Sequence, residues 1–180
     1  MEIFFEGIVL RPWSISDATQ LAFIADNKNI ADNLRDGFPF PYSLNDAKNW
    51  LNLILPENFP PRFFAITVDK HLVGSIGIVS KTDIYRKNFE IGYFVSGEYW
   101  GKGIANKAIK AATSYAFKDF DIVRVYAEPF ADNPGSRKAL EKAGFTLEAT
   151  LMRNVIKNGI IKDSCIYSVL KEDFKYYIPS

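Results

Sequence analysis

The spacing of apolar and polar residues divides the chain into a regular series of elements. Residues 3–11 are rich in β-prone side chains and read as a strand. Ser14-Ile15-Ser16-Asp17 has the spacing of a capping box, a serine with an acid three residues on. It opens a helix with Ala18, Leu21, Ala22 and Ala25 on one face. Residues 29–34 predict a second short helix, and 35–42 a turn-rich loop carrying Phe38, Phe40 and Tyr42. Ser43 and Asp46 repeat the capping spacing ahead of a helix with Leu44, Ala47, Leu51 and Ile54 inward, which Pro56, Pro60 and Pro61 end. Residues 63–68 and 72–80 form two strands about a turn at Asp69 to His71. Residues 89–95 form another strand. Ala105, Ala108, Ile109, Ala112 and Ala116 then recur at helical spacing, one apolar face against a sheet. A β-branched-rich strand at 122–127 precedes a short helix at 136–143, where Gly144 suits a left-handed cap. Strands at 146–156 and 160–170 flank Asn158-Gly159, a strong hairpin signal. No repeat, low-complexity tract or linker interrupts the series. It predicts one domain over residues 1–180, an α+β fold with a mixed, mostly antiparallel sheet flanked by helices.

Tyr99-Trp100-Gly101-Lys102-Gly103-Ile104-Ala105-Asn106 joins the 89–95 strand to a helix-like run at 107–117. A strand, a glycine turn and a helix start make an anion cradle. Gly101 and Gly103 let a ligand approach the backbone. The first helical N–H groups lack intrahelical partners and sit at the positive end of the helix dipole, so a phosphate or pyrophosphate is the natural guest. A tight turn without ligand is the plain alternative. Two familiar nucleotide motifs fail here. The dinucleotide fingerprint needs a third glycine where Asn106 stands, and the P-loop needs Ser or Thr where Gly103 follows Gly101-Lys102.

Thirty residues on stands Asn133-Pro134-Gly135-Ser136-Arg137-Lys138-Ala139-Leu140-Glu141-Lys142-Ala143-Gly144-Phe145. Asn-x-x-Ser and a helix ending in Glu-Lys-x-Gly-Phe, placed after a Trp-Gly-x-Gly-Ile-Ala turn, resemble the GNAT superfamily of N-acetyltransferases. Within it the chain looks most like the branch of the ribosomal-protein N-terminal acetyltransferases (RimJ/RimL type). Val9-Leu10-Arg11-Pro12 with Asp17-Ala18, and Asn158-Gly159 with Asp163 and Tyr167-Ser168-Val169-Leu170, extend the likeness over nearly the whole chain. The resemblance implies the GNAT acyl-CoA N-acyltransferase fold. In that fold the strand before the cradle and the strand after its helix run parallel and splay apart.

The same resemblance assigns residues. The cofactor motif falls on Trp100 to Ala105, with Trp100 departing from the usual Arg or Gln. It implies that acetyl-CoA, as cosubstrate, is held by the backbone of Gly101, Lys102, Gly103, Ile104, Ala105 and Asn106. Trp100 itself is expected to pack rather than to bond. Phe94 and Val95 match a family bulge that frees an N–H near the thioester carbonyl. Asn133 matches the asparagine that bonds the cofactor arm or positions the adjacent loop; a plain turn asparagine is the alternative. Leu140 stands where many members carry a catalytic tyrosine, so Ser136 is expected as the donor to the leaving sulfur, with simple helix capping as the alternative. Glu90 matches the strand glutamate that acts as base in some members; attraction of a cationic amine, or a sheet-face charge, is the alternative. Arg137, Lys138, Lys142, Lys107 and Lys110 are candidates for the 3′-phosphate, with solvated helix charges as the default.

Composition limits the rest. Lys plus Arg number 22 and Asp plus Glu 21, a formal net charge of +1, which gives no argument for nucleic acid or an acidic membrane surface. The single cysteine, Cys165, rules out an intramolecular disulfide and a cysteine zinc cluster, and no metal is expected. Cys165 reads as a small core residue, and the single histidine, His71, as an exposed turn residue. No signal peptide and no membrane-length apolar run is visible, so the simplest location is the cytoplasm. The expected function is direct acetyl transfer from acetyl-CoA to a primary amine, either a protein N-terminal α-amine or a small-molecule amine. Homodimers are common in the family and are a further expectation. A non-catalytic acyl-CoA-binding sensor stays open as the alternative.

Overall fold

A computed structural model of the chain describes residues 1–57 and 60–176. The run expected as one strand at 3–11 is a hairpin. β1 (Ile3–Phe5) and β2 (Ile8–Pro12) pair antiparallel across Glu6 and Gly7, at φ 43° and 84°. Two left-handed turn residues match the twist of the flanking strands. Glutamate rarely takes that conformation, and so the turn is hidden in the sequence.

Both expected capping boxes form. Ser14 accepts from the Ser16 N–H, and Asp17 accepts from the Ser14 N–H at 2.9 Å. They start a 3-10 turn that runs into α1 (Ala18–Ala25). Asp17 also binds both terminal nitrogens of Arg11, each at 2.8 Å, tying the helix start to β2. α2 (Lys28–Ala31) is a single turn capped by Asn27. Ser43 and Asp46 cap α3 (Leu44–Ile54), whose Ala47, Leu51 and Ile54 are buried. Leu44, expected inward, is exposed: it lies in the first turn, ahead of the buried stripe.

β3 (Phe63–Val68) and β4 (His71–Ser80) turn at Asp69 and Lys70, both left-handed, with His71 exposed. β5 (Asn88–Val95), α4 (Ile104–Asp119), β6 (Arg124–Ala127) and α5 (Pro134–Lys142) follow, then β7 (Thr146–Lys157) and β8 (Ile160–Leu170). All eight strands join one sheet in the order β1-β2-β3-β4-β5-β6-β8-β7. Every neighbouring pair is antiparallel except β5 with β6. The α+β architecture is thus the one expected. One face carries α4 and α5, whose Ile109 and Leu140 are buried with Phe64, Ile66, Ile76 and Ile91 of the sheet in one cluster that includes Cys165. The other carries α1 and α3 over Ala65 and Leu72. No helix among the described residues is long and apolar enough to cross a membrane.

The sheet is tightest at Gly74, beside a register shift between β3 and β4. A Cβ there would stand 2.3 Å from the Phe94 carbonyl oxygen, which belongs to the backbone and has nowhere to go. Gly74→Ala is expected to cost about 3 kcal/mol through forced backbone movement. Calorimetry should find Tm lower by roughly 6–12 °C, at ~2–4 °C per kcal/mol for a domain of this size.

Candidate cofactor cleft and acceptor face

β5 and β6 pair only at Asn88, Phe89 and Glu90 against Arg124, Val125 and Tyr126. Beyond that the strands part, because each follows its other neighbour. The chain after β6 stays with β8: the Cys165 N–H donates to the Pro129 carbonyl and the Ala131 N–H to the Asp163 carbonyl, both at 2.9 Å. Pro129 has no N–H to offer β5. β5 meanwhile stays in register with β4 as far as Val95. A wedge opens between the two parallel strands.

The bulge expected at Phe94 and Val95 is absent, since the β4–β5 register runs without a shift; the nearby shift lies one strand over, between β3 and β4. Ladder alternation supplies free donors instead. The Ser96 N–H donates to the Val73 carbonyl at 2.8 Å, on the β4 side. Alternate residues of an antiparallel strand turn their N–H groups the same way. Phe94 therefore spends its N–H on β4, while Tyr93 and Val95 turn theirs to the wedge.

The wedge belongs to a cleft of about 1610 Å³. The glycine cradle lies at one end. Gly101 and Gly103 sit at φ 76° and 75°, and Gly103 is the left-handed N-cap of α4. The helix starts three residues earlier than expected, so its free N–H groups abut the glycines directly. A Cβ at Gly101 would meet nothing within 4 Å. The amide oxygen of Asn106 is buried beside them with no hydrogen-bond partner. Concavity and free N–H groups at a helix start fit a phosphate-bearing cofactor. Gly101, Gly103, Ile104, Ala105, Asn106, Phe94, Val95, Asn133 and Ser136 all line the cleft. Lys102 does not: its ammonium lies 4.7 Å over the Tyr99 ring.

Trp100 does more than pack. Half exposed, it donates its indole N–H to the Val95 carbonyl at 2.7 Å, fixing the cradle to the last residue of β5. Two of the candidate phosphate cations are committed to the fold. Arg137 donates to the Tyr167 hydroxyl and the Ala131 carbonyl, and Lys107 to the Glu6 carbonyl. Lys138 and Lys142 line the cleft.

α5 begins two residues before the expected Ser136. Asn133 is its cap, with Oδ1 accepting the Ser136 N–H at 3.1 Å, and Pro134 fills the first position. The Ser136 hydroxyl is therefore not a cap. It lies 2.7 Å from the Tyr93 hydroxyl, which also reaches the Ser136 carbonyl at 3.3 Å. Burial pushes the Tyr93 phenol up to about 12, against the opposing pull of the Ser136 bond. Sequence reasoning missed Tyr93. The signal was there: it shares a face with Phe89, Ile91 and Val95, where a hydroxyl demands a partner.

On the opposite face of β5 stands Glu90, expected as the base. Its side chain is 13% exposed, and both carboxylate oxygens are taken. Arg35 pairs with Oε1; Lys81 pairs with Oε2 at 2.7 Å, and the Tyr126 hydroxyl donates to the same oxygen at 3.3 Å. The geometry weighs against the expectation: both oxygens are paired with cations, which favours the charged carboxylate over a base ready to take a proton, and Glu90 holds Arg35 of the 35–42 loop to the sheet. Two residues past Tyr126, on the same face, comes a carboxylate that the sequence did not flag. Glu128 lines the cleft and accepts at Oε1 from Asn154 and Ser164, at 2.9 and 2.8 Å. No cation pairs with it among the described residues.

Residues 8–146 match the acetyltransferase (GNAT) domain family. The chain belongs to the GNAT family. YoaA of Bacillus subtilis (strain 168), an uncharacterized N-acetyltransferase, is 35% identical over 102 residues, 57% of this chain and 57% of YoaA. That match spans little more than half the length of the relative. The spermidine N(1)-acetyltransferase of Escherichia coli (strain K12) is 26% identical over 164 residues, 89% of this chain and 86% of that protein. Mycobacterium smegmatis RimJ in complex with CoA-disulfide superposes with a TM-score of 0.82 at 23% identity, over 96% of this chain and 87% of that one. The wedge, the cradle and the hydroxyl pair line one cleft together with Arg35, Gly37, Phe38, Pro39 and Tyr42 of the 35–42 loop.

Proposed function

We propose that this GNAT protein transfers acetyl from acetyl-CoA directly to a primary amine, on a protein N-terminus or a small molecule, within a ternary complex. The observation that carries the reading is the Tyr93–Ser136 hydroxyl pair on the wall of a wedge that ends in an anion cradle. Acetyl-CoA supplies a thioester already activated for attack. The N–H groups of Gly101 and of residues 103–106, which line the cleft, hold its phosphates. The N–H groups of Tyr93 and Val95 face the carbonyl as charge develops on its oxygen. One such donor is worth about 2.7–4 kcal/mol.

The hydroxyl pair serves the departing sulfur. A phenol raised to about 12 stays protonated through the working pH range. Full proton transfer to a thiolate whose thiol sits near ~8.5 would run uphill by roughly 5 kcal/mol. The pair therefore stabilises the thiolate by donating a hydrogen bond, and solvent completes the protonation. Glu128 is the carboxylate that binds the ammonium; the proton the ammonium must lose before it attacks passes through this carboxylate to solvent, which also supplies the proton taken up by the departing thiolate. Cys165, buried and against Thr150, takes no part, in keeping with direct transfer.

Acetyl-CoA with a panel of primary amines, followed by thiol release, tests the reading. Amine-dependent release is expected. CoA binding without release for any amine would support a binding sensor and end the enzyme reading.

A further inference from the structure

We infer that the acceptor is an amine bearing one positive charge on an apolar body, and not a polyamine. The inference rests on the acetyltransferase reading above. Five charged side chains line the acceptor half of the cleft: Arg35, Lys81, Asp46, Glu90 and Glu128. Two cations face three carboxylates. Glu90 is answered by both cations. Asp46 is spent on the cap of α3, accepting from the Ser43 N–H at 2.8 Å and its hydroxyl at 2.5 Å, where the helix dipole favours a negative charge. Among the described residues neither Asp46 nor Glu128 has a cationic partner, but Asp46 is held at a helix start whereas Glu128 accepts only from the neutral Asn154 and Ser164, so a single ammonium at Glu128 balances it. The further ammonium groups of a polyamine would meet Arg35 and Lys81, and like charges at close range repel.

The walls agree with that count. Phe38 meets Phe94 edge-on at 5.5 Å between ring centres, and Trp50 meets Phe63 at 6.2 Å. Leu53, on the same wall, is 74% exposed. Between these groups and Glu128 the sheet has Gly92, where a Cβ would meet nothing within 4 Å, so the floor is open. An aromatic or aliphatic body fits against this wall with its amine toward Glu128. Such a body is offered equally by a free arylalkylamine and by a polypeptide that begins with an apolar residue.

The test measures kcat/KM at saturating acetyl-CoA for 2-phenylethylamine, a hexapeptide beginning with phenylalanine, and spermidine. At least one of the first two should exceed spermidine by roughly 100-fold, the cost of misplacing a desolvated charge pair. Which of the two leads identifies the source of the amine. Glu128→Gln, which keeps the shape and removes the charge, should lower kcat/KM for the better amine by a similar factor, with the KM for acetyl-CoA unmoved. Spermidine turned over as well as the monoamines, or Glu128→Gln as fast as the parent, overturns the inference while leaving the enzyme reading intact. Failure of all three amines in a protein that binds CoA counts against the enzyme reading itself and takes the inference with it.

Discussion

Ser136→Ala is expected to lower kcat by about 10²–10³-fold, the usual loss when one preorganised donor is removed from a developing anion. CoA affinity should stay within about twofold, because the hydroxyl acts on charge that appears only as the thioester breaks. Tyr93→Phe should fall in the same range. The two hydroxyls are 2.7 Å apart and share their hydrogens, so they act as one donor. The double variant should then cost little more than the worse single one, the non-additivity expected of groups that work as a unit. Fold stability gives the needed control. Asn133, not Ser136, caps α5, so Ser136→Ala leaves the helix start intact and its Tm close to the parent's. Tyr93 also donates to the Ser136 carbonyl, so Tyr93→Phe should cost about 1 kcal/mol of stability in addition. Unchanged turnover in Ser136→Ala would remove the donor role. Additive losses in the double variant would mean two separate tasks.

How much of this was legible beforehand differs from residue to residue. The cradle was readable because Gly101 and Gly103 both sit at left-handed φ, which favours glycine, and a Cβ at Gly101 would meet nothing within 4 Å. The hairpin at Asn158-Gly159 announced itself by turn chemistry, whereas the one at Glu6-Gly7 used a residue that seldom turns that way. Capping boxes are local, and both formed where the spacing put them. Two of the failures at the site are long-range. Glu90 lies 55 residues from Arg35, so nothing in its own strand showed that its oxygens were already claimed. Glu128 gained importance from what it lacks, a cation, and that is visible only once the sheet brings Asn154 and Ser164 to it. The expected bulge in β5 came from the family resemblance and not from residues 89–95. Strand alternation alone frees the donors that the bulge was meant to free.

Gly103→Asp should abolish CoA binding while leaving the fold standing, and that separation makes it the most decisive single substitution. Gly103 sits at φ 75°, where an L-residue pays about 1–2 kcal/mol in strain. A carboxylate at the start of α4 recovers about 0.3–1 kcal/mol from the helix dipole. Its Cβ would stand 3.4 Å from Asn106 Oδ1, a contact that a small side-chain movement relieves. The net loss of stability is therefore small. The effect on the ligand is not, because a negative charge now occupies the space where the N–H groups of Gly101 and of residues 103–106 would hold a phosphate. In the parent, CoA at ~100 times its Kd should stabilise by about 2.7 kcal/mol. That corresponds to a rise in Tm of roughly 5–11 °C. In Gly103→Asp the rise should vanish at the same CoA concentration. An undiminished rise in the variant would place the phosphates away from the cradle. The wedge and the hydroxyl pair would then have to be matched to a different part of the ligand, since the Tyr93–Ser136 pair serves a leaving sulfur only if the cradle anchors the other end.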